Sequence, residues 1–293
     1  MITGPFEYHQ PGTVDEAVAL LGQYGDTGQL IAGGHSLIPM MKLRLAVPEH
    51  LIDLRRVEGL TGIEEAGGAL VIGAMITQHE LIASPLLSEK CPILRETAEA
   101  IADPQVRYCG TFGGNVANGD PGNDMPAVMQ CLGAEYLLHG PKGARSVAAR
   151  EFYDAAYFTA RADDEILTAV RIPTPPAGHG SAYEKLKRKV GDYATAAAAV
   201  VLTLETGTCV SASIALTNVG STPLYSEAAG QALVGTRCDG EAVGEAVRLA
   251  REITEPASDM RGPADYRTHV AGVMVARAVA RAAGRAAGRT DGK

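Results

Sequence analysis

Two short glycine-rich runs carry most of the chemistry legible in this chain. The first, Ala32-Gly33-Gly34-His35-Ser36-Leu37, follows an apolar stretch, Gln29 to Ala32, that reads as a strand; the second is Gly110-Thr111-Phe112-Gly113-Gly114-Asn115. Glycine lets a backbone turn sharply and come close to a ligand with no side chain in the way. Successive N–H groups in such a turn make a concave site for an anion. Ser36, Thr111 and Asn115 add short polar side chains. Two such turns in one domain can clamp the two phosphates of a dinucleotide, and each alone can equally be a plain structural turn. Neither is a G-x-G-x-x-G fingerprint or a G-x-x-x-x-G-K-[ST] loop.

Other chemistries are poorly supported. Cys91, Cys109, Cys131, Cys209 and Cys238 are dispersed with no C-x-x-C spacing, which suits free thiols in a cytosolic protein better than an iron–sulfur cluster. The histidines are scattered with no H-x-x-x-H face, so no metal is expected. Lys plus Arg is 26 against 34 Asp plus Glu, a net charge of −8, which argues against a phosphate-backbone partner such as DNA or RNA. The most apolar stretch, Ala196 to Leu204, is too short to span a bilayer, and the start shows no basic region followed by an apolar run, so neither a transmembrane segment nor a secretory signal is expected.

Local signals outline the elements that must position the two turns. Thr13 to Glu16 and Thr77 to Glu80 fit capping boxes, each opening a helix. Strands are expected at Gln29 to Ala32 and His50 to Leu54, and a hairpin over residues 60–73 with Ala66-Gly67-Gly68 as its turn. A helix starts near Pro92 and ends by Pro104; another starts near Asp124 with Pro126 in its first turn. Strands follow around Glu135 to His139, Arg145 to Ala148 and Glu165 to Ile172. Pro173 to Gly178 is the best linker in the chain. Beyond it, Tyr183 to Lys189, Ala196 to Glu205 and Cys209 to Thr217 read as a three-stranded meander. Helices follow over Tyr225 to Leu233, Glu241 to Ile253 and Ala264 to Arg285, and Ala276 to Arg289 reads as the frayed end of the last one. Strands then helices, without a strand–helix alternation, make the class α+β.

With those segments in place, Ala32-Gly33-Gly34-His35-Ser36-Leu37-Ile38-Pro39-Met40-Met41-Lys42-Leu43-Arg44 resembles the FAD-binding medium subunit of the aerobic carbon monoxide dehydrogenase and xanthine dehydrogenase-like molybdenum hydroxylase family. So do Thr111-Phe112-Gly113-Gly114-Asn115, Gly119 to Ala127, and Tyr183 to Ala194. The resemblance covers nearly the whole chain. It implies a two-part FAD-binding domain of the PCMH type over residues 1–175, divided near residue 56, and a C-terminal domain over 178–293 with a three-stranded antiparallel sheet and a helical bundle. It implies that residues 32–36 and 111–115 hold the FAD pyrophosphate through backbone N–H groups, with Leu37 also among the cofactor-binding residues. Asp124 would accept from ribityl or ribose hydroxyls, Lys185 would lie near the isoalloxazine, Tyr193 would stack on a flavin face, and Leu167 would line the ring pocket. At the residue level Asp124 can equally cap its helix, Lys185 to Lys189 can be a solvated face or a patch for an acidic partner, and Tyr193 can be a core aromatic. His35 is expected not to attach the flavin covalently.

The same resemblance implies the partners. The chain has no cluster motif and no length for a molybdenum domain, so an iron–sulfur small subunit and a molybdopterin-binding large subunit would be separate chains, assembled as a dimer of heterotrimers. The chain would take electrons from the iron–sulfur subunit and pass them to an external acceptor, with carbon monoxide as the candidate substrate of the complex and no catalytic residue of its own. It would be cytoplasmic, held to the inner face of the membrane through the complex. Two alternatives stay open: a self-sufficient FAD reductase or oxidase of the same fold, and a non-catalytic nucleotide-binding protein.

Overall fold

The computed structural model describes residues 2–288. Its first part is a small parallel sheet, ordered β1-β3-β2 from β1 (Glu7–His9), β2 (Gly28–Ile31) and β3 (His50–Asp53), with α1 (Val14–Tyr24) and α2 (Leu37–Lys42) in the connections. Thr13 caps α1 as expected, its Oγ1 accepting from Glu16 N at 3.2 Å, but the Glu16 carboxylate reaches back one residue further, to Gly12 N at 2.7 Å. Ala17, Val18 and Leu21 of α1 pack on Ile52 and Leu54.

A five-stranded antiparallel sheet of order β4-β5-β10-β6-β7 follows, from β4 (Ile63–Ala66), β5 (Ala69–Gly73), β6 (Glu135–Gly140), β7 (Gly143–Ala148) and β10 (Ile166–Pro173); β8 (Tyr153–Ala155) and β9 (Phe158–Thr159) form a separate ribbon. Between β5 and β6 the chain winds through α3 (Gln78–Ala83), α4 (Pro85–Lys90), α5 (Pro92–Ala100), α6 (Pro104–Arg107), α7 (Phe112–Ala117) and α8 (Asp124–Leu132). Thr77 forms a complete capping box with Glu80. The Gly67-Gly68 turn of the first hairpin sits at φ +58° and +76°, which glycine adopts without a Cβ penalty.

The last part is an antiparallel sheet of order β11-β12-β13-β14, from β11 (Gly180–Leu186), β12 (Ala196–Glu205), β13 (Thr208–Thr217) and β14 (Leu224–Tyr225), followed by α9 (Glu227–Gln231), α10 (Gly240–Glu252) and α11 (Ala264–Ala286). The expected three-stranded meander therefore gains a fourth, very short strand. Tyr225, expected at the start of a helix, instead pairs with Ala215, and Leu224 pairs with Leu216. The strand expected at Tyr183 to Lys189 is shifted toward the linker and ends at Leu186. Of the Ala276 to Arg289 tail, the helix runs on to Ala286, and Arg289 lies outside the described residues.

This sheet is covered on both faces. Ala182, Ala198, Val200, Ile214 and Leu216 face α10 and α11, while Tyr183, Ala197, Ala199 and Ala215 join the core of the preceding domain. Two buried faces explain why Ala196 to Leu204 reads as one apolar run without alternation. Small residues let the helix come close: a Cβ on Gly180 would collide with the Ala282 carbonyl of α11. Glu96 of α5 ties the layers together, accepting from Tyr183 N at 3.0 Å and from Arg285 of α11 at 2.7 Å.

Candidate cofactor site

The three parts meet around one cleft of about 580 Å³, lined among others by Ala32, Gly33, Gly34, His35, Ser36, Leu37, Thr111, Gly113, Gly114, Asn115, Asp124, Leu167, Lys185 and Tyr193, while Phe112 of the second turn is buried away from it. The two glycine turns lie against each other. A Cβ on Gly33 would collide with the Cys109 carbonyl and approach Gly110 Cα to 2.8 Å, so glycine there is set by the close approach of two backbones. Gly34 sits at φ +73°, a left-handed conformation that turns the chain from β2 into α2.

The turns do not do the same job. The N–H groups of Gly33, Gly34, His35, Ser36 and Leu37 meet no backbone acceptor among the described residues, and the Ser36 hydroxyl makes no capping bond. The second turn was expected to offer its N–H groups too, and largely it does not. Phe112 N donates to Ile76 O at 2.7 Å, Gly113 N to Ala74 O at 2.8 Å, Asn115 N to Thr111 O at 3.1 Å, and Gly114 N to Thr111 Oγ1 at 3.0 Å. The physical reason is that residues 112–117 are a short helix capped by Thr111, whose backbone is already paired with Thr77 in an isolated antiparallel bridge. Asn115 also turns inward, its Oδ1 accepting from Met125 N at 3.2 Å at the start of α8. The first turn thus leaves its N–H groups without backbone partners, while most of those in the second are paired and Gly113 is pressed on Ala74.

Asp124 does not cap α8; Asn123 holds that position. The Asp124 carboxylate is buried and shared: Tyr183 Oη donates to Oδ1 at 2.5 Å and Lys185 Nζ to Oδ2 at 2.8 Å. Lys185 Nζ also reaches Ala100 O at 3.3 Å, the open C-terminal end of α5. Burial pushes the Asp124 carboxyl up, against the pull of the Lys185 ammonium and of both hydrogen bonds. Lys187 points to the same Ala100 carbonyl at 3.4 Å, and burial together with the neighbouring Lys185 charge pushes its ammonium down. The basic cluster is therefore not a uniform solvated face. Lys185 and Lys187 turn inward, Arg188 pairs with Asp192 at 2.8 Å, and Lys189 is exposed.

Tyr193 is no core aromatic: it is 41% exposed and stands at the rim of the cleft. A Cβ on Gly122 would come within 2.8 Å of its ring, and the Arg261 guanidinium lies 5.6 Å from the ring centroid. Burial and the nearby Asp120 carboxylate, which also faces Tyr157, push its hydroxyl up. Leu167 lies at the bulge where β10 shifts register against β6, which turns this stretch of strand into the cleft. His35 folds back on its own turn, with Nδ1 2.8 Å from Gly33 O.

Several lining residues had no sequence signal. Gln78, Ile101, Val106, Tyr157 and Arg161 join the cleft through helix and loop packing alone. Tyr157 adopts φ +65° without being glycine, which nothing in its neighbours announces. Elsewhere, ligand atoms of Glu7, His9 and His50 come within 4.8 Å of one another, with the two histidines hydrogen-bonded at 3.2 Å.

Residues 4–175 match the FAD-binding domain in molybdopterin dehydrogenase, and residues 181–282 match the CO dehydrogenase flavoprotein C-terminal domain. The chain belongs to this flavoprotein family of the molybdopterin dehydrogenases. It is 65% identical over 279 residues to the carbon monoxide dehydrogenase medium chain of Afipia carboxidovorans, covering 95% of this chain and 97% of that one. It is 50% identical over 279 residues to the corresponding medium chain of Hydrogenophaga pseudoflava, with the same coverage. A chain of reconstituted CO dehydrogenase from Oligotropha carboxidovorans superposes with a TM-score of 0.96 at 65% identity, covering 97% of this chain and all (100%) of that chain. For a member of this family the cleft fits FAD: its volume is within the usual range of roughly 300–1,000 Å³ for cofactor sites. Its lining includes N–H groups without backbone partners and a buried ammonium. No helix among the described residues is long and apolar enough to cross a membrane.

Proposed function

We propose that this chain is the FAD-carrying electron-exit subunit of a carbon monoxide dehydrogenase, docked to an iron–sulfur small subunit and a molybdopterin-binding large subunit in a dimer of heterotrimers. The observation that carries the proposal is the single cleft that runs from the Gly33–Leu37 nest to Lys185 and Tyr193. FAD, when bound, supplies a carrier that accepts and releases electrons one or two at a time. The chain's residues do the rest. Residues 33–37 bind the anionic end through N–H groups, and the apolar wall of Ile101 and Leu167 excludes water. Lys185 holds a positive charge where electron gain by a bound ring makes negative charge, which is how a protein favours the reduced form. Tyr193 covers one side of the cleft mouth.

The 65% identity to a medium chain named for carbon monoxide dehydrogenase supports electron transfer over a self-sufficient oxidase. Residue by residue the FAD contacts are part of the proposal, as are the domain limits of 1–175 and 178–293, the cytoplasmic location and its attachment to the membrane through the complex. The test is anaerobic mixing of the FAD-loaded chain with carbon monoxide while the flavin band is followed. The chain alone should not bleach; adding the two partner subunits should bleach it. Prompt bleaching without partners would overturn the reading in favour of a self-sufficient flavoenzyme.

A further inference from the structure

Tyr183 stands behind the cleft rather than in it. It is buried in the core between the C-terminal sheet and α8, yet its hydroxyl ends on Asp124, which does line the cleft. The two Asp124 oxygens are divided: Oδ1 takes the Tyr183 hydroxyl at 2.5 Å and Oδ2 takes the Lys185 ammonium at 2.8 Å. The next polar contact of the Tyr183 hydroxyl is Thr217 Oγ1, at 3.5 Å. Tyr183 and Lys185 are two apart on β11, so both side chains point to one face of the strand. A hydroxyl on one oxygen of a buried carboxylate fixes its rotation and leaves the other oxygen for the cation.

We propose that Tyr183 is a positioning residue for the cofactor site: by holding Asp124 it sets both the place of the Lys185 ammonium and whether Asp124 opposes it with a negative charge. The inference rests on the reading of the cleft as an FAD site. The charged groups facing Asp124 are Lys185 of β11 and Lys187 just beyond its end; Arg107 of α6 acts on Lys187, and Tyr193 faces Asp124 from the loop before β12. Burial pushes the Asp124 carboxyl up, and the Tyr183 hydrogen bond works against that shift. With Asp124 ionised, the pair beside the flavin is neutral; with Asp124 protonated, it carries a net positive charge and favours the reduced flavin.

The experiment is a spectroelectrochemical titration of the flavin midpoint potential against pH in the full chain loaded with FAD. Beyond the slope change that the flavin's own proton uptake gives in every variant, the wild type should show an inflection where Asp124 titrates, and Asp124→Asn should lack that one. Tyr183→Phe removes a donor to the ionised carboxylate, so the inflection should move up by about one pH unit, a tenfold change in proton affinity. Difluorotyrosine at position 183, a stronger donor of nearly the same shape, should move it down, and it decides the matter if the phenylalanine variant does not fold. A purely structural role would not move the inflection in opposite directions for the two variants. Curves for both Tyr183 variants that superimpose on the wild type, or an Asp124→Asn curve identical to the wild type, would overturn the assignment of Tyr183. A wild-type chain that takes up no FAD would instead overturn the cofactor reading, and this inference with it.

Discussion

Replacing Lys185 by methionine keeps the length and apolar stem of the side chain and removes one charge. In the folded chain Lys185 and Asp124 are 4% and 6% exposed, and the ammonium is the only cation within bonding distance of the carboxylate among the described residues. Breaking a buried pair leaves the remaining charge uncompensated and costs about 3–5 kcal/mol. That is a large share of the roughly 5–15 kcal/mol that holds a domain folded. With a urea slope near the upper end of the usual range, about 3 kcal/mol/M, the unfolding midpoint at neutral pH should fall by about 1–1.7 M. The sign of the pH dependence follows from Asp124. Its folded pKa is raised by burial, so its contribution is full below the ordinary carboxylate value of about 3.9 and is lost as pH rises through the folded value. Without Lys185 the folded value rises further, so the variant loses more over that window. The gap between wild type and variant should therefore be small near pH 4 and open to its full size toward pH 8. Urea unfolding of both proteins at the two pH values, followed by circular dichroism, measures it. Equal midpoint shifts at the two values would refute the claim that an ionised, buried Asp124 is what the substitution leaves stranded.

Gly34→Val should lower FAD affinity about tenfold or more with the fold retained, because φ +73° costs a β-branched residue about 1–3 kcal/mol and its side chain would crowd Ile38; fluorescence titration with FAD reads it, and unchanged affinity would make the turn purely structural. Gly180→Ala should lower the melting temperature by several degrees without changing FAD affinity, since the new Cβ meets the Ala282 carbonyl and overpacking costs about 1–3 kcal/mol; an unchanged melting curve would mean α11 can move away freely. Arg145→Ala should have a small effect, under about 1 kcal/mol because Arg145 is 44% exposed. Its guanidinium holds the Glu165 carboxyl down, so the stability it adds is present above the ordinary glutamate range and is lost as pH falls through the folded value. A stability difference that grows toward acid pH would contradict that assignment.

The parts of this protein legible in its sequence are those set by neighbours along the chain. The capping residues at Thr13 and Thr77, the glycine pair at Gly67-Gly68 and the two glycine turns each act through a few adjacent backbone groups, so residue type alone announces them. The resemblance carried by the glycine turns and the Tyr183 to Ala194 segment also named the family that the comparisons then showed. What the sequence left open depends on partners far along the chain. Short helices at Leu37–Lys42 and Phe112–Ala117 have too few residues to show a period, and packing holds them. The second turn gives two of its N–H groups to Ala74 and Ile76, and no local pattern reveals where that stretch after β5 lies. Three basic residues within Lys185 to Arg188 look alike in sequence, but only the fold brings Asp124, 61 residues away, to Lys185 and leaves Arg188 to Asp192. Tyr183 shows the limit most clearly: its role lies in a hydrogen bond across 59 residues, and such a contact exists only once both domains have closed around the buried carboxylate.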